Sequence, residues 1–161
     1  MNRASFFVFF SYLCAKKVSM TQDKAIILPR GCRLIELPNV VDDRGKLCFL
    51  EGNHHIPFSI RRIFWTYDVL PGQTRGNHAH RTCSMVLFPV GGSYEIELDD
   101  GFMKKVLRME DSHVGLLVPP GVWCRLYNFS PMAASVCLAS DVYDADDYIH
   151  DYHEFLKFVG L

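Results

Sequence analysis

The sequence predicts an all-β protein, an antiparallel barrel or jelly roll with one short α-helix at its C-terminal end. Roughly ten short segments rich in β-branched and aromatic residues follow one another along the chain. Turn residues, chiefly glycine, proline and aspartate, separate these segments at regular intervals. Only the last segment changes to the spacing of a helix. Many short strands with frequent turns are typical of an antiparallel barrel or jelly roll.

The strands predicted in the first half of the chain are separated by clear turn signals. Pro29-Arg30-Gly31 and Asp42-Asp43-Arg44-Gly45 are two of these turns. The longest segment is rich in aromatic and β-branched residues and ends at Pro71-Gly72. The strands predicted here cover residues 25–28, 32–37, 46–51 and 59–70.

Two strands in the second half indicate from their pattern which faces are buried. Segment 83–90 is mostly apolar and is predicted to be buried on both faces. Segment 93–98 alternates, which directs Tyr94, Ile96 and Leu98 to one face. Asp99-Asp100-Gly101 then predicts a hairpin. The remaining predicted strands cover residues 102–109, 114–118, 122–129 and 133–140.

The tail of the chain predicts an amphipathic helix. Its large apolar residues recur at helical spacing: Tyr148, Tyr152, Phe155 and Val159. Asp144 or Asp146 is the expected cap at the start of this helix.

Length and composition are typical of one globular domain. The chain has 161 residues, of which 49% are hydrophobic, and a net charge of -1. A near-zero charge argues against a nucleic-acid or membrane-surface partner, which normally needs an excess of basic residues. Residues 1–19 loosely imitate a signal peptide, but their apolar run is too short to span a membrane. We therefore predict an N-terminal extension over 1–19, upstream of a true start at Met20, and a single domain over 20–161.

Six cysteines are scattered along the chain without a CxxC pair. Most lie in apolar segments, where a free cysteine behaves as a small hydrophobic residue. This usage indicates a reducing compartment, and we expect a cytoplasmic protein.

Two histidines are the strongest candidates for chemistry. His78 and His80 lie two residues apart after Gly72, so on a strand both side chains point to the same face. Two imidazoles directed into one cavity indicate either a metal site or a proton-transfer site.

The residues around this pair resemble the motifs of the cupins, which are small double-stranded β-helix (jelly-roll) barrels. The chain carries these residues of the first cupin motif: Gly72, His78, His80 and Gly91. Ser84 or Met85 stands where that motif has a glutamate. The chain carries these residues of the second motif: Pro119, Gly121 and Asn128. Cys124 stands where the second motif has a histidine.

The resemblance to metal-dependent cupins fails at the ligands. With two of four usual ligands absent, the histidine pair alone is a poor permanent metal site. A zinc site completed by Cys124 is chemically possible, but the apolar segment around that residue already predicts a buried cysteine. We therefore favour a metal-free pair acting in general acid–base chemistry near neutral pH.

A longer series of short motifs is similar to the WxcM-like sugar-nucleotide 3,4-ketoisomerases, over about residues 25–158. In the first half these motifs are Asp43-Arg44-Gly45, Ile56-Pro57-Phe58, Arg62-Ile63 and Arg75-Gly76-x-His78-Ala79-His80. In the second half they include Asp100-Gly101, Gly115-Leu116, Pro119-Pro120-x-x-Trp123, Asn128-Phe129-Ser130, Leu138-Ala139-Ser140-Asp141 and Asp147-Tyr148-Ile149-x-Asp151-Tyr152.

The resemblance implies a cofactor-free isomerisation of dTDP-4-oxo-6-deoxyglucose. The C3 proton passes to a base, an enediol forms, and reprotonation at C4 leaves the ketone at C3. His78 and His80 are the expected proton carriers, and Arg44 is expected to hold the enediolate or the phosphates. The expected substrate-binding residues are Arg62, Arg75 at the diphosphate, Tyr67, and Trp123, for which plain barrel core is the equal alternative. The family resemblance also suggests a homodimer.

Departures from the family pattern keep other functions open. Phe64 and Trp65 stand where the family often has a tyrosine pair, and Arg125 stands where an acidic residue is expected. One alternative is therefore a catalytically inactive sugar-nucleotide-binding cupin. Another is a dTDP-sugar epimerase, although that chemistry normally uses a His–Asp dyad, which is not evident in the sequence. A metal-dependent dioxygenase ranks last.

Overall fold

Two antiparallel five-stranded sheets form the domain. The structure is a computed structural model that describes residues 26–161, so the extension predicted over 1–19 lies outside the described residues. The first sheet contains, in spatial order, β1 (Arg33–Glu36), β9 (Val114–Val118), β6 (Met85–Val90), β11 (Ala134–Ala139) and β4 (Arg62–Thr66). The second contains β12 (Tyr148–Ile149), β5 (Arg75–His80), β10 (Trp123–Tyr127), β7 (Tyr94–Asp99) and β8 (Lys104–Met109). The all-β jelly-roll prediction is confirmed.

The main core lies between the two sheets. The alternation predicted for β7 is correct, because Tyr94, Ile96 and Leu98 are completely buried in this core. They pack with residues of the opposite sheet that include Leu87 and Cys137. Each fully buried large apolar side chain contributes about 1.5–3 kcal/mol, so this layer is the principal stabilising feature of the fold.

The strand β6 is buried on both faces, as its apolar sequence predicts. Met85 and Leu87 contribute to the main core, whereas Val86 and Phe88 belong to a second cluster on the other side of the sheet. The loop over residues 49–61, which precedes β4, supplies Ile56 to that second cluster. The outer face of the first sheet is therefore covered by chain around β6.

The predicted helix is present but begins later than expected. The helix α1 (Tyr152–Val159) is capped by Asp151, whose carboxylate accepts a hydrogen bond from the Glu154 N–H at 2.8 Å. The expectation of a cap at Asp144 or Asp146 is wrong: Asp144 caps a short 3₁₀ turn over Ala145–Asp147 instead.

Tyr148 shares the helical spacing of the tail but does not lie in the helix. It belongs to β12, where the backbone pairs with β5 and sets Tyr148 opposite His80. Strand pairing decides the conformation here, and the spacing alone cannot reveal it. The helix itself buries Phe155 and Val159 against Ala79 of β5 and Trp123 of β10. It thereby supports the strand that carries the histidines.

A separate hairpin projects from the two sheets. Its strands are β2 (Asn39–Asp42) and β3 (Gly45–Cys48), which pair only with each other among the described strands. Val41 and Leu47 on this hairpin are 62% and 60% exposed. β2 was not predicted from the sequence, and the strand predicted over 25–28 has no regular structure over residues 26–28. No helix in residues 26–161 has both the length and the apolar composition to cross a bilayer.

Candidate active site

The strand β5 presents His78 and His80 on one face, as their spacing predicts. Their ring centroids are 5.0 Å apart and the rings are nearly perpendicular. Gly76 fixes the entry to this strand with a φ of 82°, opposite a register shift in β10 between Cys124 and Arg125. A Cβ at Gly76 would lie 2.7 Å from the Cys124 carbonyl oxygen, so only glycine permits this close approach.

His80 is held by a carboxylate from the far end of the chain. Its Nδ1 lies 2.6 Å from Oδ2 of Asp147, and both side chains are buried. The other carboxylate oxygen accepts hydrogen bonds from the Thr82 N–H at 2.7 Å and the Thr82 hydroxyl at 2.9 Å. Because a carboxylate only accepts, Nδ1 of His80 carries the proton and Nε2 carries a lone pair. That Nε2 is buried and has no hydrogen-bond partner within residues 26–161.

His78 has the same tautomer for a different reason. Its Nδ1 lies 3.0 Å from the Gly76 carbonyl oxygen, which can only accept. Its Nε2 is therefore also unprotonated in the neutral ring. Both histidines thus present a basic nitrogen rather than a bound proton.

The environment keeps both imidazoles neutral. Burial, with a smaller contribution from the nearby His80, lowers the pKa of His78 to about 4. Burial also lowers the pKa of His80, and the hydrogen bond to Asp147 offsets only part of that effect. Burial raises the pKa of Asp147, but the hydrogen bonds from His80 and Thr82 outweigh it and hold the pKa below its usual range. A neutral His80 and an ionised Asp147 therefore coexist near neutral pH.

Tyr148 completes an aromatic group around the histidines. Its ring centroid lies 4.4 Å from that of His80 and 4.8 Å from that of His78. His150 directly follows β12, and its ring stacks on that of Tyr148 with the centroids 5.6 Å apart. His150 is exposed and lies at the edge of the site.

A cavity opens between the two sheets beside this group. His78 and Tyr148 line it together with Arg75, Phe64, Thr66 and Cys124. Arg62, on β4, lies with its guanidinium over the rings of Phe64 and Tyr143 at 5.2 and 5.7 Å. Its positive charge is close enough to contribute to lowering the pKa of His80, although burial is the larger cause. The cavity is therefore lined by one neutral base, His78, and one guanidinium, that of Arg75, with His80 and Arg62 close by.

Four of the seven predicted site residues come together here: His78, His80, Arg62 and Arg75. Arg44 lies in the turn of the β2–β3 hairpin, where its 84% exposed side chain pairs with Asp42. Tyr67 follows β4 and is 60% exposed. Trp123 packs against Tyr152 and Phe155 of the helix, in the cluster between the helix and the second sheet rather than in the main core.

The surroundings of Cys124 favour the acid–base interpretation over a zinc site. Cys124 is buried, as its apolar segment predicts, and burial raises the pKa of its thiol well above the usual value. In residues 26–161, Cys124 belongs to neither of the two groups of histidine, cysteine and carboxylate side chains that lie close enough together to share a metal ion. Two other possible metal ligands, Nδ1 of His80 and the carboxylate of Asp147, are already hydrogen-bonded to each other.

Sequence reasoning missed two residues of the site. Neither Asp147 nor Tyr148 is among the predicted site residues, and the spacing of the tail predicts Tyr148 in the helix. The His80–Asp147 contact joins positions 67 residues apart, and it supplies the His–Asp dyad that was not evident in the sequence. The Asp147-Tyr148-Ile149 motif was the only available signal, and it carried no information about contact with β5.

Comparisons with known proteins agree on one family. A family model described as FdtA, WxcM-like, C-terminal, matches residues 30–160. The TDP-4-oxo-6-deoxy-alpha-D-glucose-3,4-oxoisomerase of Aneurinibacillus thermoaerophilus is 38% identical over 128 residues, covering 80% of this chain and 92% of that protein.

Solved structures of similar proteins carry the same description. A 3,4-ketoisomerase from Helicobacter canadensis is 39% identical, with a TM-score of 0.77 over 80% of this chain and 97% of that one. A histidine-to-asparagine mutant of the 3,4-ketoisomerase QdtA from Thermoanaerobacterium thermosaccharolyticum, in complex with TDP-4-keto-6-deoxyglucose, is 32% identical. Its TM-score is 0.79 over 81% of this chain and 94% of that one.

Proposed function

The chain belongs to the FdtA, WxcM-like family, and from that membership we propose that it is a sugar-nucleotide 3,4-ketoisomerase. It moves the keto group of a dTDP-4-oxo-6-deoxyhexose from C4 to C3. The observation that carries this proposal is the pair of neutral imidazoles on β5, each with its Nδ1 proton held and its Nε2 free. Removal of a proton α to a carbonyl needs a base of this kind.

His80 is the base at C3. When it takes the C3 proton on Nε2, the imidazolium that forms is stabilised by the ionised Asp147 on its other side. His78 has no carboxylate bonded to its ring, so its protonated form is more acidic. During the reaction its Nε2 takes up a proton from solvent and delivers it to C4 of the enediol, leaving the ketone at C3, while His80 returns the C3 proton to solvent.

The arginines hold the charges of the substrate and of the intermediate. Arg75 on the cavity wall binds the diphosphate, for which a guanidinium is well suited. Arg62, close to His80 and Tyr148, stabilises the developing enediolate oxygen. Both groups are charged before the reaction begins, so they need no proton transfer to act.

We further propose a homodimer, in which Arg44 acts from the hairpin on substrate bound to the partner subunit. β4 is an edge strand whose inward residues face the cavity, while Ile63 and Trp65 on its other face are 56% and 61% exposed. An exposed apolar edge strand is normally covered. Tyr67 directly follows β4 and Trp123 begins β10, and the role proposed for both is substrate binding.

The enzyme works in the cytoplasm. Five cysteines in residues 26–161 are free thiols, and four of them are buried in the fold. Unpaired cysteines in this number are typical of a reducing compartment.

The test is an NMR-monitored incubation of chelator-treated protein with dTDP-4-oxo-6-deoxyglucose in deuterated water. We expect a 3-oxo product with deuterium at C4. His78→Asn and His80→Asn should each slow its formation by about 100-fold or more, the usual contribution of a general acid or base. Substrate that binds but remains unchanged would indicate an inactive binding protein instead. Deuterium at C5 with the ketone still at C4 would indicate an epimerase.

A further inference from the structure

Tyr148 is the phenol that contacts both histidines. Antiparallel pairing sets Tyr148 directly opposite His80, so the two side chains lie on the same face of the sheet. The centroid of the Tyr148 ring lies 4.4 Å from that of His80 and 4.8 Å from that of His78, and Tyr148 lines the cavity. Phe64, on the cavity wall nearby, has no hydroxyl to offer.

Moving a ketone between neighbouring carbons requires two proton shifts. One proton leaves C3 and another arrives at C4, and the two histidines account for this shift. A second proton must leave the hydroxyl oxygen on C3 and another must reach the oxygen on C4. The group that carries it must both donate and accept. A guanidinium cannot accept a proton, so neither Arg62 nor Arg75 can perform this step.

We propose that Tyr148 is a third catalytic residue, which transfers the hydroxyl proton between O3 and O4 of the sugar. This proposal rests on the proposed 3,4-ketoisomerase function. A phenol suits the task because it donates and accepts through one oxygen and is far more acidic than the alkyl hydroxyls of Thr66 and Ser135, which also line the cavity. Ser135 is moreover engaged, since its hydroxyl donates to the Tyr94 oxygen at 3.0 Å.

The step balances without an oxidant or reductant, and solvent water exchanges the proton that is carried on carbon. His80 takes the proton from C3, the electron pair of that bond forms the C3–C4 double bond, and O4 becomes negative. The Tyr148 phenol gives its proton to O4 and takes the proton of O3. The electron pair of the double bond then binds at C4 a proton that His78 relays from solvent, C3 becomes the carbonyl carbon, and His80 returns the C3 proton to solvent. C3 is oxidised and C4 is reduced within one molecule, and Tyr148 ends as it began.

The local charges suit a phenol in this role. Burial raises the pKa of Tyr148, and the positive charge of Arg62 opposes part of that rise. The resting group is therefore a protonated donor, while Arg62 stabilises the negative oxygen during the transfer.

The test compares Tyr148→Phe with wild type in deuterated water, by following two signals separately. The first is the 3-oxo product, and the second is deuterium appearing at C3 of unchanged substrate. Tyr148→Phe should form product about 100-fold more slowly or worse, yet keep C3 exchange within about tenfold of wild type, because the histidines still act at carbon. Tyr143→Phe is the matched control, since Tyr143 contacts Tyr148 but is 69% exposed, and it should behave as wild type.

The outcomes separate this proposal from the function on which it rests. Wild-type protein that neither forms product nor exchanges C3 would overturn the function itself. Tyr148→Phe that forms product at the wild-type rate, or that loses exchange and product equally while binding TDP normally, would overturn the role of Tyr148.

If Tyr148→Phe no longer binds TDP, 3-fluorotyrosine at position 148 provides the second test. It keeps the ring and the hydroxyl but lowers the phenol pKa. In the pH–rate profile of product formation, the alkaline limb should then move to lower pH, while the alkaline limb for C3 exchange stays in place. Both limbs unmoved would contradict the proposal.

Discussion

At the scale of single residues, the chemistry depends on which nitrogen of each imidazole carries the proton. Asp147 fixes this for His80, and the Gly76 carbonyl fixes it for His78. The histidine pair was predictable because a strand brings positions two residues apart to one face. The contact of Asp147 with His80 was not predictable, because it depends on how the C-terminal tail pairs with β5. Nothing in the local sequence around Asp147 or His80 encodes that pairing.

Asp147→Asn tests the orientation of His80. The asparagine keeps the shape of the side chain, but its amide can donate to Nδ1 and so favours the tautomer with the proton on Nε2. We expect kcat to fall by about 100- to 10,000-fold with little change in KM. Asp146→Asn is the control, because that neighbouring carboxylate is exposed, and its activity should stay within about threefold of wild type. Equal activity of the two variants in steady-state assays would show that Asp147 has no positioning role.

Stability should fall in acid because His78 is buried in its neutral form. Its pKa is about 4 in the folded protein and about 6.5 in the unfolded chain, so the unfolded state binds more protons between these values. Stability therefore declines as pH falls from 6.5 towards 4. Between pH 7 and pH 5 we expect wild type to lose about 1–2 kcal/mol more than His78→Asn in urea unfolding. His80 shifts in the same direction and remains in both proteins. An equal loss in both proteins would contradict the assigned environment of His78.

At the scale of elements, β5 is the strand on which the site is built, and its neighbours determine its shape. β10 accommodates Gly76 through a register shift, and β12 sets Tyr148 opposite His80. Strongly patterned strands such as β7 were predictable, since alternation alone identifies their buried face. β12 was not predictable, because a strand of two residues is too short to show a pattern. Its apolar residues also continue the helical spacing of α1.

Gly76→Ala tests this arrangement of β5 and β10. The substitution adds strain at positive φ, of about 1–2 kcal/mol, and a clash with the Cys124 carbonyl. Gly72→Ala is the matched control, because it has a φ of 78° but no atom within 4 Å of the added Cβ. We expect Gly76→Ala to lower the free energy of unfolding by at least about 1 kcal/mol more than Gly72→Ala. Equal urea midpoints for the two variants would refute the close approach.

At the scale of the whole molecule, the apolar surface is distributed unevenly. The two sheets bury their facing sides, while the hairpin and the outward face of β4 keep large apolar residues in water. The fold class was predictable from the repetition of short strands, because any such chain must pair its strands to satisfy the backbone. The exposure of the outward face of β4 was not predictable, because it depends on the place of this strand at the sheet edge.

Trp65→Glu tests the proposed homodimer. A charge at this 61% exposed position should cost little in a monomer but strongly oppose burial in an interface. By light scattering after size exclusion, wild type should elute as a dimer and Trp65→Glu as a folded monomer. Met132→Glu, at an 87% exposed residue outside β4, should remain dimeric. A monomeric wild type would refute the homodimer. A dimeric Trp65→Glu would show that the outward face of β4 is not the interface.

The central claim is that both imidazoles of β5 are neutral, with the proton on Nδ1 and a basic Nε2. Long-range proton–nitrogen NMR of protein labelled with ¹⁵N-histidine tests it directly, with His78→Asn and His80→Asn supplying the assignments. At pH 7 we expect both rings to show the Nδ1–H tautomer, and His78 should remain neutral on lowering the pH to 5. An imidazolium at pH 7, or a proton on Nε2 of His80, would contradict the account, because neither form can accept the C3 proton.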